Sequence, residues 1–187
     1  MIEKLANLLR VDEPPDFKAK PVPVDWYPVA QLSLPSGELW VGDPGFSWAE
    51  LRSDDGCRIS LPAGDYEVTV FVIAQGKMHA VSKLRVCQTG IADPEVGEQV
   101  AEAGTDSATL GVADARELAA AFQARFDDDE DEPVTFLEDF DFDYCGLVQP
   151  AGDNGAALIY VATGSDGGVP VHELVSGGRR VGIEVPF

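Results

Sequence analysis

The stretch from Arg58 to Gln88 constrains the fold of this chain more than any other. It divides into three extended runs: Arg58–Leu61, Tyr66–Ala74 and Met78–Gln88. Pro62-Ala63-Gly64-Asp65 and Gln75-Gly76-Lys77 separate them and carry the residues that turns require. The middle run is dense in β-branched and aromatic residues, which fit a pleated surface. The third run alternates, with Met78, Ala80, Ser82, Leu84 and Val86 on one side and His79, Val81, Lys83, Arg85 and Cys87 on the other. A hairpin is expected, with one face toward a core and one face wet. The stretch supplies a scaffold and no chemistry.

The rest of the chain reads as one domain, 1–187, built around that hairpin. Ile2, Leu5, Leu8 and Leu9 share a helical face, which predicts a short helix over 2–10 packed on a sheet. Residues 11–28 carry Pro14, Pro15, Pro21, Pro23 and Pro28 and read as an extended connector with no ladder of its own. The β-rich body, 29–187, opens with Val29–Leu34 and Glu38–Val41, a hairpin around Pro35-Ser36-Gly37. Gly42-Asp43-Pro44-Gly45 then makes a sharp turn. Asp93-Pro94 reads as a helix start, kept short by Gly97 and Gly104. Thr109–Val112 reads as a short strand. Asp114 and Glu117 form a capping box ahead of a helix over Ala115–Phe126. Asp143–Val148, Ala156–Ala162, Val169–Val175 and Arg180–Val185 complete a meander with glycine-rich turns. The expected class is α+β: a mostly antiparallel meander or sandwich-like sheet with two or three helices.

Charge narrows the partners. The formal net charge is -20 and the sequence pI is about 4.1. Such a surface repels phosphate backbones and anionic membranes, which argues against nucleic-acid and membrane binding and favours a basic protein partner. The three cysteines, Cys57, Cys87 and Cys145, make an odd count without a C-x-x-C pair, which argues against a disulfide framework and a zinc site. Small buried or half-buried roles are expected for all three. Charges interrupt the apolar pattern of the first ten residues, unlike a signal peptide, and no run is long enough to span a bilayer. A cytoplasmic location is the expectation.

No nucleophile elbow, P-loop, dinucleotide fingerprint or H-E-x-x-H motif is present, so no catalytic residue and no cofactor are assigned. A Cys145–His172 or Cys87–His79 dyad can be written down, but nothing in the spacing supports either. The densest chemistry lies between Asp127 and Asp143, where ten carboxylates occur without a basic residue. Asp127, Asp128, Asp129, Glu130, Asp131, Phe136, Asp139, Phe140, Asp141 and Asp143 are the candidate binding residues. A solvated, solubilising loop is the plain alternative for the same run. Asp139, Asp141 and Asp143 alternate with Phe140 and Phe142, as on a strand with one acidic and one aromatic face. As a calcium loop the segment fails, because Tyr144 stands where a glycine is needed and Pro150 where the closing glutamate belongs. Asp43 and Asp166 are the candidate ligand-site turns, and no metal ligand is assigned.

Four segments resemble a bacterial family catalogued as domain of unknown function 4241. Leu34-Pro35-Ser36-Gly37-Glu38-Leu39-Trp40-Val41-Gly42-Asp43-Pro44 is similar to its "lpSGrl…DP", and Leu61-Pro62-Ala63-Gly64-Asp65-Tyr66-Glu67-Val68 to its "vPpGrYPV". Gly111-Val112-Ala113-Asp114-Ala115 is similar to "GVDAG" with the aspartate displaced by one, and Ser165-Asp166-Gly167-Gly168-Val169-Pro170-Val171-His172 to "GDGsYPVY". The family has no established activity, so the resemblance implies shape more than function. The expected function is a non-catalytic binding protein engaging a basic protein partner, in the manner of an immunity-type antidote to a toxin. The alternative is a ligand-binding domain or enzyme that uses turn aspartates with a divalent cation. A DNA mimic would need carboxylates spaced along an elongated surface, and here they are bunched. Adaptation to salt would account for the acidity without any partner.

Overall fold

The computed structural model describes Leu9 and residues 20–46, 57–126, 145–148, 158–164 and 166–187. Among them the strands are β1 (Val22–Leu34), β2 (Glu38–Gly42), β3 (Cys57–Ser60), β4 (Gly64–Gln75), β5 (Met78–Gln88) and β6 (Glu95–Thr105), followed by β7 (Thr109–Asp114), β8 (Cys145–Val148), β9 (Leu158–Ala162), β10 (Gly167–Ser176) and β11 (Arg179–Pro186). One α-helix, α1 (Ala115–Phe126), follows β7. The order is β1-β4-β5-β11-β10-β6 in a six-stranded sheet and β3-β2-β7-β9-β8 in a five-stranded sheet. Every pairing in both is antiparallel. The α+β class holds. The helix expected over 2–10 lies outside the described residues except for Leu9, which is helical and 1% exposed in the main core.

The sheets pack face to face. Val68, Val70, Val72, Leu84, Val86 and Ile183 of one meet Leu39, Val41, Leu110, Val112, Ile159 and Val161 of the other. The opposite face of the five-stranded sheet is covered by α1, whose Ala115, Leu118, Ala121 and Phe122 lie on Trp40, Ala113, Leu158 and Tyr160. Burial on both faces explains why β2, β7 and β9 read as nearly unbroken apolar runs. Asp114 Oδ1 accepts the N–H groups of Arg116 and Glu117, each at 3.0 Å, so the expected N-cap starts α1.

The structure corrects several expectations. Pro35-Ser36-Gly37 closes no hairpin, because β1 pairs with β4 whereas β2 pairs with β3 and β7. The turn carries the chain from one sheet to the other. Gly37 holds it at φ 69° while its carbonyl accepts the Leu61 N–H at 2.9 Å. The connector is also shorter than expected, since β1 starts at Val22. Pro23 and Pro28 fit because β1 is a sheet edge, with one side free of ladder bonds. Register shifts fall between Pro23 and Asp25 and between Pro28 and Ala30.

Asp93-Pro94 leads into β6 and starts no helix. Gly97 and Gly104 each oppose a helix by about 1 kcal/mol, and the open side of β10 offers a ladder from Thr105↔Gly167 to Glu95↔Val175. The expected meander is two hairpins in different sheets, β8–β9 and β10–β11. Gly177 and Gly178, at φ 58° and 74°, turn the second hairpin. Strict alternation in β5 breaks at Ser82, where Phe71 pairs with Lys83 but Val72 pairs with Val81. This bulge lets both Val81 and Leu84 reach the core.

Candidate functional site on the outer face of the six-stranded sheet

Residues paired across antiparallel strands share a face. One register row therefore crosses the outer face as Pro28, Thr69, Arg85, Glu184, His172 and Gln99. A neighbouring row runs Trp26, Phe71, Lys83 and Pro186. These side chains point away from the core.

Glu184 organises this face. It is 3% exposed, although it lies on the side opposite the core. A desolvated carboxylate needs paired, hydrogen-bonded cations. Lys83 Nζ donates to Oε1 at 2.8 Å, and Arg85 donates to Oε2 through Nη2 at 2.5 Å and Nε at 3.1 Å. Burial pushes the Glu184 carboxyl up, but the hydrogen bonds and charges of Lys83 and Arg85 outweigh it and hold the group below the usual carboxylate range. Arg85 in turn places its guanidinium carbon 4.1 Å from the Trp26 ring centroid. Trp26 meets Phe71 at 5.2 Å with the rings tilted by 55°. The buried carboxylate thus fixes an arginine, which fixes a half-exposed tryptophan.

The connection from β5 to β6 builds the opposite wall. The Ile91 N–H donates to the Gln88 carbonyl at 3.2 Å, and Ile91 packs on a small cluster of Cys87, Leu174 and Val181. Asp93 takes a left-handed φ of 46° before Pro94. Between the walls lies an open cleft of about 170 Å³, lined by Trp26, Glu67, Thr69, Arg85, Cys87, Ile91, Asp93 and Pro94. Burial pushes the Cys87 thiol up; Arg85 pulls it back and Glu67 adds to the rise. A thiol kept protonated in this way is a poor nucleophile.

The candidates named from sequence lie elsewhere. Asp43 is 1% exposed and heads the 3-10 turn Pro44–Phe46. Its Oδ1 accepts from Gly45 N–H at 2.8 Å and from the Ser107 hydroxyl at 2.7 Å, and its Oδ2 accepts the Ser107 N–H at 2.5 Å. The carboxylate ties the β6–β7 turn to the end of β2. Asp166 is exposed and precedes Gly167, whose carbonyl accepts the Thr105 hydroxyl at 3.0 Å, so both aspartates flank that turn. Among the described residues no group of three His, Cys, Asp or Glu side chains is placed to hold a metal ion. Asp127, Asp128, Asp129, Glu130, Asp131, Phe136, Asp139, Phe140, Asp141 and Asp143 lie outside the described residues. Cys87 and His79 stand eight positions apart on β5, roughly 26 Å at the rise of an extended strand, which separates them as a dyad.

Sequence reasoning missed Trp26, Phe71, Arg85 and Glu184 as a group. Glu184 did carry a signal: it interrupts the apolar run Val181, Ile183, Val185, where a charge needs a partner. No family model, curated protein or solved structure matches the chain.

Proposed function

We propose that the protein is a non-catalytic binding protein that engages a basic protein partner through the outer face of its six-stranded sheet. The observation that carries this reading is the Glu184–Arg85–Trp26 relay, which holds an aromatic pair half-exposed in front of a cleft. Interfaces combine such rigid aromatic anchors with a polar rim. The rim here is acidic: Glu67 and Asp93 line the cleft and both are exposed. A net charge of -20 draws in a basic partner from a distance. The run Asp127 to Glu132 adds to that field through its charge. A cytoplasmic antidote that masks a basic toxin is the cellular role this reading fits.

The four sequence motifs support membership of the domain of unknown function 4241 family as part of the same proposal. Ser36, Asp43 and Asp114 serve turns and a helix cap, which favours a common shape over a common chemistry.

The test is affinity capture with the wild-type chain beside a Trp26→Ala/Phe71→Ala variant, followed by association rates against ionic strength. A basic protein should be retained, its association should slow as salt rises, and the variant should bind at least about tenfold more weakly. A partner that is not basic, or that binds the variant unchanged, would contradict the proposal.

A further inference from the structure

We infer that the cleft between Trp26 and the β5–β6 connection is the seat of a lysine side chain presented by the partner. The inference rests on the binding reading above and adds the chemistry of the contact. Size comes first. At about 170 Å³ the cleft is smaller than the roughly 300–1,000 Å³ that small-molecule sites occupy, and a single side chain is the scale it suits. Cys87 and Ile91 give it an apolar lining on which an aliphatic stem can lie. The lining also carries charge. Glu67 and Asp93 belong to it, both are exposed, and neither has an ion-pair partner among the described residues.

The cations already present decide between lysine and arginine. Lys83 and Arg85 are both committed to Glu184. The Arg85 guanidinium also covers the Trp26 ring, which is where an incoming planar guanidinium would stack. A compact ammonium on a long stem needs no ring face. It needs apolar surface for its stem beside carboxylates for its head, and the lining of the cleft supplies both. Glu184 and the Ile91–Gln88 hydrogen bond hold the two walls before any ligand arrives, so little ordering cost accompanies entry.

The test is an NMR titration of the full chain with the peptide acetyl-Gly-Lys-Gly-amide and with the same peptide acetylated on the lysine Nζ. The lysine peptide should bind in roughly the millimolar range, and it should move the Trp26 indole, Thr69 and Ile91 signals. The acetylated peptide keeps the stem but loses the charge, and it should bind at least about tenfold more weakly. A Glu67→Gln/Asp93→Asn variant, changed only at exposed positions and checked for unaltered melting, should show the same loss with the lysine peptide. Equal binding of both peptides, shifts elsewhere, no shifts, or an unaffected variant would overturn the inference. A partner weakened by Trp26→Ala/Phe71→Ala but not by Glu67→Gln/Asp93→Asn would overturn the lysine seat and leave the docking face standing. Lysine-peptide binding with a partner indifferent to Trp26 and Phe71 would sustain the seat and sink the docking face.

Discussion

Asp114 Oδ2 accepts the backbone N–H of Ser36 at 2.9 Å, across 78 positions of sequence. The same carboxylate caps α1 through Oδ1. One side chain thus fastens the turn between the two sheets to the helix that covers the second sheet.

Asp114→Ala should therefore cost more than a lone cap. Loss of the cap costs about 0.5–2 kcal/mol, and a stranded, partly buried donor at Ser36 adds about 1–3 kcal/mol. A total of about 1.5–5 kcal/mol in urea unfolding is expected, with Asp114→Asn losing less because one acceptor oxygen survives. A loss below about 0.5 kcal/mol for the alanine variant would contradict the double role.

Glu184 should make stability depend on pH. Its folded-state carboxyl lies below the ordinary value because Lys83 and Arg85 overcome the cost of burial. The stabilisation is then present above the unfolded value, about 4.3, and is lost as pH falls through the lower folded value. Glu184→Gln should abolish this part of the acid dependence. At neutral pH it should destabilise by about 2–3 kcal/mol, less than a fully buried broken pair, because the Lys83 side chain is 40% exposed. Chemical unfolding of both proteins from neutral pH down to pH 3 checks both the size and the direction.

Tyr66 titrates at the other extreme. Burial, chiefly, and the neighbouring Cys87 push its phenol up to about 12 against a smaller pull from Arg179. Its hydroxyl donates to the Pro62 carbonyl at 2.6 Å. Folding favours the neutral phenol, so this contribution is complete below the unfolded value of about 10 and is lost as pH rises through the folded value. Absorbance titration should show one tyrosine ionising near 12, and Tyr66→Phe should remove that step. The same substitution should cost about 1 kcal/mol through the lost hydrogen bond.

The local signals in the sequence were faithful where neighbours in sequence are neighbours in space. The β-branched run of β4, the turn at Gly76 and the Asp114 cap specify their own geometry. What the chain hides is which strands share a sheet. Nothing near Pro35-Ser36-Gly37 says that Leu34 belongs beside Gly64 while Glu38 belongs beside Ser60. Likewise Asp93-Pro94 carries a helix-start signal, and only the unfilled edge of β10 turns Glu95–Thr105 into a strand. The candidate site is the extreme case. Trp26, Phe71, Arg85 and Glu184 come from four strands, and a register row becomes visible only once the pairing is known. Asp43 drew attention as a turn residue, and a turn is what it fastens, through Gly45 and Ser107.

Amide hydrogen exchange of the chain, alone and saturated with its captured partner, tests the docking face most directly. Exchange should slow in residues 22–28 of β1 and 89–94 of the connection, which border the cleft, and should stay unchanged in α1. Slowing in α1 with residues 89–94 unaffected would place the partner on the opposite side of the molecule and contradict the account.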